Sequence, residues 1–204
     1  TLLIHLKMSG RLHIEPVTAP PDSHAHVVFR LDDGNELRFH DPRKFGRVYL
    51  VDDPGKVVNK LGPEPLDEDF TIERFAEMLS HRRGRIKPLL LNQTFLAGLG
   101  NIYADEALHM AGLHPLRTAD TLEPNEIQKL HAAIRSTLQQ AIEHRGTSFD
   151  AFYLDTRGER GMYQSQLQVY GRAGRPCYRC GTPIYRTVVA QRGTYFCPAC
   201  QPQP

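Results

Sequence analysis

The stretch 168–201, QVYGRAGRPCYRCGTPIYRTVVAQRGTYFCPACQ, holds every cysteine of the chain as a C-x2-C-x16-C-x2-C array: Cys177, Cys180, Cys197 and Cys200. Two CxxC pairs at this separation match a tetrahedral four-thiolate zinc site, in which each pair forms a knuckle and the intervening residues return as a hairpin. The competing reading is two disulfides. It is disfavoured because no secretory segment is visible and disulfides do not persist in a reducing cytosol. Four thiolates fill the coordination sphere, so one Zn2+ is expected, in a structural role.

Charge around this array points to its partner. Residues 160–204 carry Arg160, Arg172, Arg175, Arg179, Arg186 and Arg192 and no acidic residue, while the whole chain is only +2. The basic charge is therefore segregated at one end, a pattern that suits phosphates, although a merely solvated basic face gives the same composition. With 204 residues and 40% hydrophobic content, the chain is large enough for two or three small cores. No apolar run approaches a membrane span and no leader is visible, so a cytoplasmic protein without a membrane partner is expected.

Working back along the chain, residues 1–6, 25–31, 36–40 and 47–51 read as antiparallel strands, the middle two flanking the turn signal Asp32-Asp33-Gly34-Asn35. A strand at residue 1 and so few partners suggest a sheet whose start lies upstream. After the link Leu61-Gly62-Pro63-Glu64-Pro65-Leu66 the period changes to that of helices. Ile72, Phe75, Ala76 and Leu79 share a face behind the cap Thr71. A short helix is expected over 85–91, another over Asn101–Ala111 that ends at Gly112, and a long one carries Ile127, Leu130, Ile134, Leu138 and Ile142 between Pro124 and Gly146. The reading is α+β in three parts: 1–62, the remaining part of a β-rich, partly sandwiched domain; 63–163, a helical domain with a loop-rich end; and 164–204, the zinc hairpin.

Three short stretches offer more than structure. Gly98-Leu99-Gly100-Asn101 is a glycine-flanked turn opening a helix, where free N–H groups and the helix dipole attract phosphate; it also reads as a plain turn. Asp41-Pro42-Arg43-Lys44-Phe45-Gly46 puts a cation and an aromatic on one loop, able to fill the gap left by an extruded base, or else to lid a core. His5-Leu6-Lys7-Met8-Ser9-Gly10 adds a Met that can wedge between bases or pack inside.

Taken together, HLKMSG, DPRKFGR, LGPEPL, IKPLLL, AGLGNIYADEAL, QVYGRAGRPCYRCG and QRGTYFCPACQ resemble the formamidopyrimidine-DNA glycosylase family of bacterial base-excision repair, and the resemblance runs from His5 to Gln201. It implies a helix-two-turns-helix domain, one zinc finger and damaged double-stranded DNA as partner of a monomer. It implies that Met8, Arg43 and Phe45 are the intercalating, base-probing trio, that His5, Lys87, Asn101 and Arg192 grip phosphates, and that a loop around 157–163 closes over the lesion. The trio resembles that of the oxidised-purine branch, so 8-oxoguanine or formamidopyrimidines are the implied substrates. One departure is Asn92, where the family has aspartate.

The family's glycosylase and abasic-site lyase reaction, with β,δ-elimination, uses an N-terminal proline amine, a neighbouring glutamate and an upstream lysine, and no residue here matches them. The chain is accordingly read as an N-terminally incomplete enzyme, inactive or very weak as it stands, with no catalytic residue assigned. The alternative is a non-catalytic paralogue that binds damaged DNA. A zinc-ribbon module for RNA or protein is a third class, which leaves DPRKFG and the helical motif unexplained.

Overall fold

The computed structural model describes residues 1–149 and 154–203. They fall into two compact units, one of Thr1–Asn59 with Ala141–Ser165 and one of Lys60–Gln140 with Gln166–Pro204.

The first unit is built on five strands, β1 (Leu2–His5), β2 (Arg11–Pro16), β3 (Ala25–Arg30), β4 (Asn35–His40) and β5 (Arg47–Leu50), followed by the one-turn helix α1 (Gly55–Val58). All pairings are antiparallel. β1 pairs β5, and a second sheet has the order β2-β4-β3. The strand β2 is an addition to the expected set. Its pattern RLHIEP offers only two alternating apolar residues before a proline, too weak a signal to separate it from a loop. Pairing with β4 sets Leu12 opposite Phe39 and Ile14 opposite Leu37, so Arg11, His13, Arg38 and His40 lie together on the other face of the sheet. Gly34, at φ 83°, makes the β3–β4 turn, with Asn35 N–H donating to Asp33 Oδ1 at 3.0 Å. Among the described residues, the hydrophobic side chains this unit buries are Phe39, Ala141 and Tyr163, a small core.

The second unit is helical with an appended hairpin: α2 (Ile72–Ser80), α3 (Ile86–Leu90), α4 (Asn101–Ala111), α5 (Pro124–Glu143, its residues from Ala141 on counted with the first unit), β6 (Tyr185–Val189) and β7 (Arg192–Phe196). As expected, Thr71 caps α2, its Oγ1 accepting Arg74 N–H at 3.2 Å, and the helix buries Phe75 and Leu79. Gly112 ends α4 in the left-handed region at φ 73°, which an L side chain enters at a cost. Phe70, Phe75, Ile86, Leu90, Leu108, Leu130 and Ile134 belong to one core, and Val169, Cys177, Ile184 and Cys197 to a second beneath the hairpin. The two-residue turn between β6 and β7, Ala190-Gln191, has φ 47° and 62°. Both are positive, as a type I′ turn requires, without the usual Asn-Gly.

Candidate nucleic-acid interface and metal centre

In the second unit the two knuckles bring the four cysteine sulfurs within 4.8 Å of one another. Individual separations are 3.5 Å for Cys180–Cys197 and for Cys180–Cys200, and 4.0 Å for Cys177–Cys200. A tetrahedron with Zn–S bonds of about 2.3 Å has edges of about 3.8 Å, so this set fits a zinc ion with all positions filled. Backbone N–H groups of Arg179 and Cys200 point at Cys177 and Cys197 sulfurs at 3.4 Å, the arrangement that stabilises thiolate charge. When bound, the ion supplies a structural cross-link.

The helix α4 carries both the glycine-flanked start read above and the contacts to this hairpin. Gly98 has φ 75°, and Gly100, the N-cap of α4, supplies no side-chain cap bond. A Cβ on either glycine would meet nothing within 4 Å, which leaves open approach to this end. Asn101 Nδ2 donates to the Gly193 carbonyl at 3.0 Å, immediately beside the exposed Arg192. Asn101 and Arg192 are thus brought together although 91 positions apart in sequence.

Lys87, expected to grip a phosphate, is buried. Its side chain is 0% exposed, with Nζ 2.6 Å from Asp105 Oδ1, 2.7 Å from Thr194 Oγ1 and 3.1 Å from the Gly193 carbonyl. An ammonium has three protons, and these three partners engage them all. Burial lowers the Lys87 pKa, with Asp105 opposing the shift. Burial likewise raises Asp105 to about 6, against the pull of Lys87.

Three polar residues of α4 that sequence reasoning passed over hold the rest of the hairpin. Asp105 Oδ2 accepts Tyr195 N–H at 2.9 Å. Glu106 accepts the N–H groups of Gln168, Val169 and Tyr170 at 2.8–3.0 Å, while burial raises its pKa. His109 Nε2 lies 3.6 Å from Cys177 Sγ; burial, then the charges of Arg179 and Arg172, push its pKa down to about 4. The available signal was acidic residues inside an otherwise apolar helical stripe, DEALH. Asn92 is local: its Oδ1 accepts both Thr94 N–H and Thr94 Oγ1–H. An aspartate could accept the same pair.

In the first unit the loops 5–10 and 41–46 form one assembly. Ser9 Oγ donates to Asp41 Oδ1 and Gly46 N–H to Asp41 Oδ2, both at 2.7 Å. Although burial works the other way, these bonds hold the Asp41 carboxyl below the usual carboxylate range. A Cβ on Gly46 would collide with the Phe39 ring, and one on Gly10 with the Leu6 carbonyl oxygen, so both glycines permit this close packing. On the tips, Met8 is 73% and Phe45 50% exposed. The Arg43 guanidinium carbon sits 4.9 Å from the Phe45 ring centre, and its Nη1 is 3.9 Å from Met8 Sδ. His5 is exposed; its Nδ1 accepts Lys7 N–H at 3.0 Å, which puts the proton of a neutral ring on Nε2, facing away. In the loop 147–163, residues 150–153 lie outside the described residues, while Asp155 Oδ1 accepts Arg157 and Glu159 N–H groups at 2.9 Å. Among the described residues no helix is long and apolar enough to cross a membrane.

A four-thiolate finger clamped to a helix with a glycine-flanked start, in a chain with exposed cationic and aromatic loop tips, defines a zinc-finger protein of the nucleic-acid-binding class. The chain belongs to the formamidopyrimidine-DNA glycosylase family. Residues 1–48 match that family's N-terminal domain, 61–152 its H2TH domain, and 174–203 the zinc finger found in FPG and IleRS. It is 55% identical to the formamidopyrimidine-DNA glycosylase of Herpetosiphon aurantiacus over 98% of this chain and 74% of that protein. Against that of Symbiobacterium thermophilum it is 52% identical over all of this chain and 68% of the relative. Among solved structures, Lactococcus lactis Fpg in complex with abasic-site DNA superposes with a TM-score of 0.91 at 40% identity, covering 99% of this chain and 75% of that one. MutM (FPG) of Thermus thermophilus gives 0.89 at 41%, covering 100% and 76%.

Proposed function

We propose that this chain grips and probes damaged duplex DNA within its family's base-excision reaction, in which oxidised purines are released and the strand is cut by β,δ-elimination. The observation that carries the reading is the exposed trio on the two locked loops. Met8, Phe45 and the Arg43 stacked beside it are apolar and cationic groups held out to solvent, where a folded chain alone gains nothing from them. Inserted at an extruded base, Phe45 and Met8 stack on its neighbours, and the Arg43 guanidinium offers donors to the orphaned partner. Asn101, the start of α4 and Arg192 hold phosphates, as does the Nε2–H of His5. Lys87 acts through Gly193, whose carbonyl it shares with Asn101. No nucleophile is assigned among these side chains; they bind and orient.

By function the chain divides into 1–62, which probes the bases, 63–163, which carries the helical grip and the lesion-capping loop, and 164–204, which supplies the finger. Its place is the bacterial cytoplasm, on the nucleoid. The likeness to structures holding abasic and Fapy-dG DNA supports this substrate class.

The test is equilibrium binding to duplexes with and without an abasic analogue. Stacking of about 1–3 kcal/mol per base means Phe45→Ala and Met8→Ala should erase most of the preference for the damaged duplex. Arg192→Ala should instead weaken binding to both duplexes and reduce the slope of log affinity against log salt by about 0.9. Equal losses on both duplexes for Phe45→Ala would overturn the probing role.

A further inference from the structure

We propose that Asp22, His24 and His40, with His13 as a fourth donor, form a second metal site, one that takes a divalent transition-metal ion through nitrogen and oxygen ligands. One ligand atom from each of Asp22, His24 and His40 lies within 4.8 Å of the others. Asp22 Oδ2 is 2.5 Å from His40 Nδ1 and 4.0 Å from His13 Nε2. The cluster forms because His13 on β2 and His40 on β4 share the polar face of their sheet, diagonally across the Arg11–His40 and His13–Arg38 pairs, and the turn 19–24 folds over that face. Arg38 fixes the turn by donating to the Pro20 and Ala19 carbonyls at 2.8 and 3.2 Å. Asp22 Oδ1 is occupied by His24 N–H at 2.9 Å, which leaves Oδ2 toward the imidazoles.

Metal–ligand bonds of about 2.0–2.2 Å require these atoms to draw in around an ion, which displaces the hydrogen-bonded proton between His40 and Asp22. Imidazole with one carboxylate selects zinc, nickel, cobalt or copper over magnesium or calcium. Of the three arginines on this face, Arg38 and Arg30 share the Glu36 carboxylate at 3.1 and 3.8 Å, which offsets part of their repulsion; Arg11 opposes the ion and caps its affinity. His24 also accepts the Asp41 N–H on its carbonyl at 2.9 Å, and His40 precedes Asp41 directly. An ion here therefore joins the root of the loop that carries Arg43 and Phe45.

Titration calorimetry of Ni2+ into the zinc-loaded chain tests this, with zinc release followed in parallel. The expected result is one Ni2+ bound per chain at micromolar concentration with the finger zinc retained. Binding should weaken by about tenfold or more in His24→Ala, which removes an exposed side chain, and in Asp22→Asn, which keeps the Oδ1 contact. His26→Ala, an exposed neighbour outside the cluster, should leave it unchanged. Absence of the additional ion, affinity unaltered in both variants, equal loss in His26→Ala, or uptake only in exchange for zinc would each overturn the proposal.

Discussion

Replacing Lys87 by methionine separates two roles that a lysine in a DNA-binding protein can have. The methionine fills a similar buried volume but leaves the Asp105 carboxylate, itself 0% exposed, without its cation, and strips Thr194 and Gly193 of a donor. Removing one partner of a buried pair costs about 3–5 kcal/mol, an appreciable fraction of a typical domain stability of about 5–15 kcal/mol. Urea unfolding of the zinc-loaded chain, read on the second unit by hydrogen exchange, should show this loss. Lys87→Met with Asp105→Asn removes both charges and should recover part of it, giving a coupling energy that neither single variant predicts. DNA affinity should fall as well, because Gly193 also holds Asn101, yet the slope of log affinity against log salt should stay at its wild-type value. A lysine that touched phosphate would take about 0.9 from that slope. Stability within about 1 kcal/mol of wild type, together with a reduced slope, would refute the structural role.

Asp105, raised to about 6 by burial, holds its proton in the folded chain at pH values where the unfolded chain, at about 3.9, has lost it. Its contribution to stability is therefore full below pH 4 and lost as pH rises toward 6; the stability difference between wild type and Asp105→Asn, measured by urea unfolding at several pH values, should move in that direction and flatten above. Thr71→Ala removes the α2 cap and should cost about 1 kcal/mol in thermal or urea unfolding, without altering zinc content. Chelation of the zinc should unravel the second core around Val169, Cys177, Ile184 and Cys197 and abolish DNA binding; unchanged amide protection of Arg192–Phe196 after verified zinc loss would contradict it.

What could be read in the sequence is what local chemistry determines. The CxxC pairs, the Thr71 cap, the Gly112 stop and the α5 stripe from Ile127 to Leu138 each declare themselves within a few residues, whereas Ile142, read as the end of that stripe, is 62% exposed. The β2 strand did not, because RLHIEP offers only two alternating apolar residues before its proline, too short a pattern to tell from a loop. The Ala190-Gln191 turn lacks the residues that mark positive φ, so the hairpin had to be inferred from the cysteines on either side. Lys87 shows a different limit. IKPLLL reads the same whether its lysine faces solvent or a buried carboxylate, and the deciding partners, Asp105 and Thr194, are distant in sequence. The resemblance that marked it as a functional position could not say by which route it acts.

Helix α4 accounts for why the finger and the helical grip fold as one unit. Asn101 opens the helix, Asp105 follows one turn later on the same side, Glu106 stands beside it, and His109 lies one turn beyond Asp105. Over about 12 Å of helix this row meets Gly193, Tyr195, the 168–170 backbone and Cys177 in succession. Beyond the helix, Arg179 donates to the His109 and Met110 carbonyls, and Gln201 to that of Leu113. Buried polar groups of this kind are costly unless every partner is in place, so the hairpin can dock in one register only. That register is the one that sets Arg192 beside Asn101. The zinc fixes the shape of the hairpin, and the polar row of α4 fixes where that shape sits.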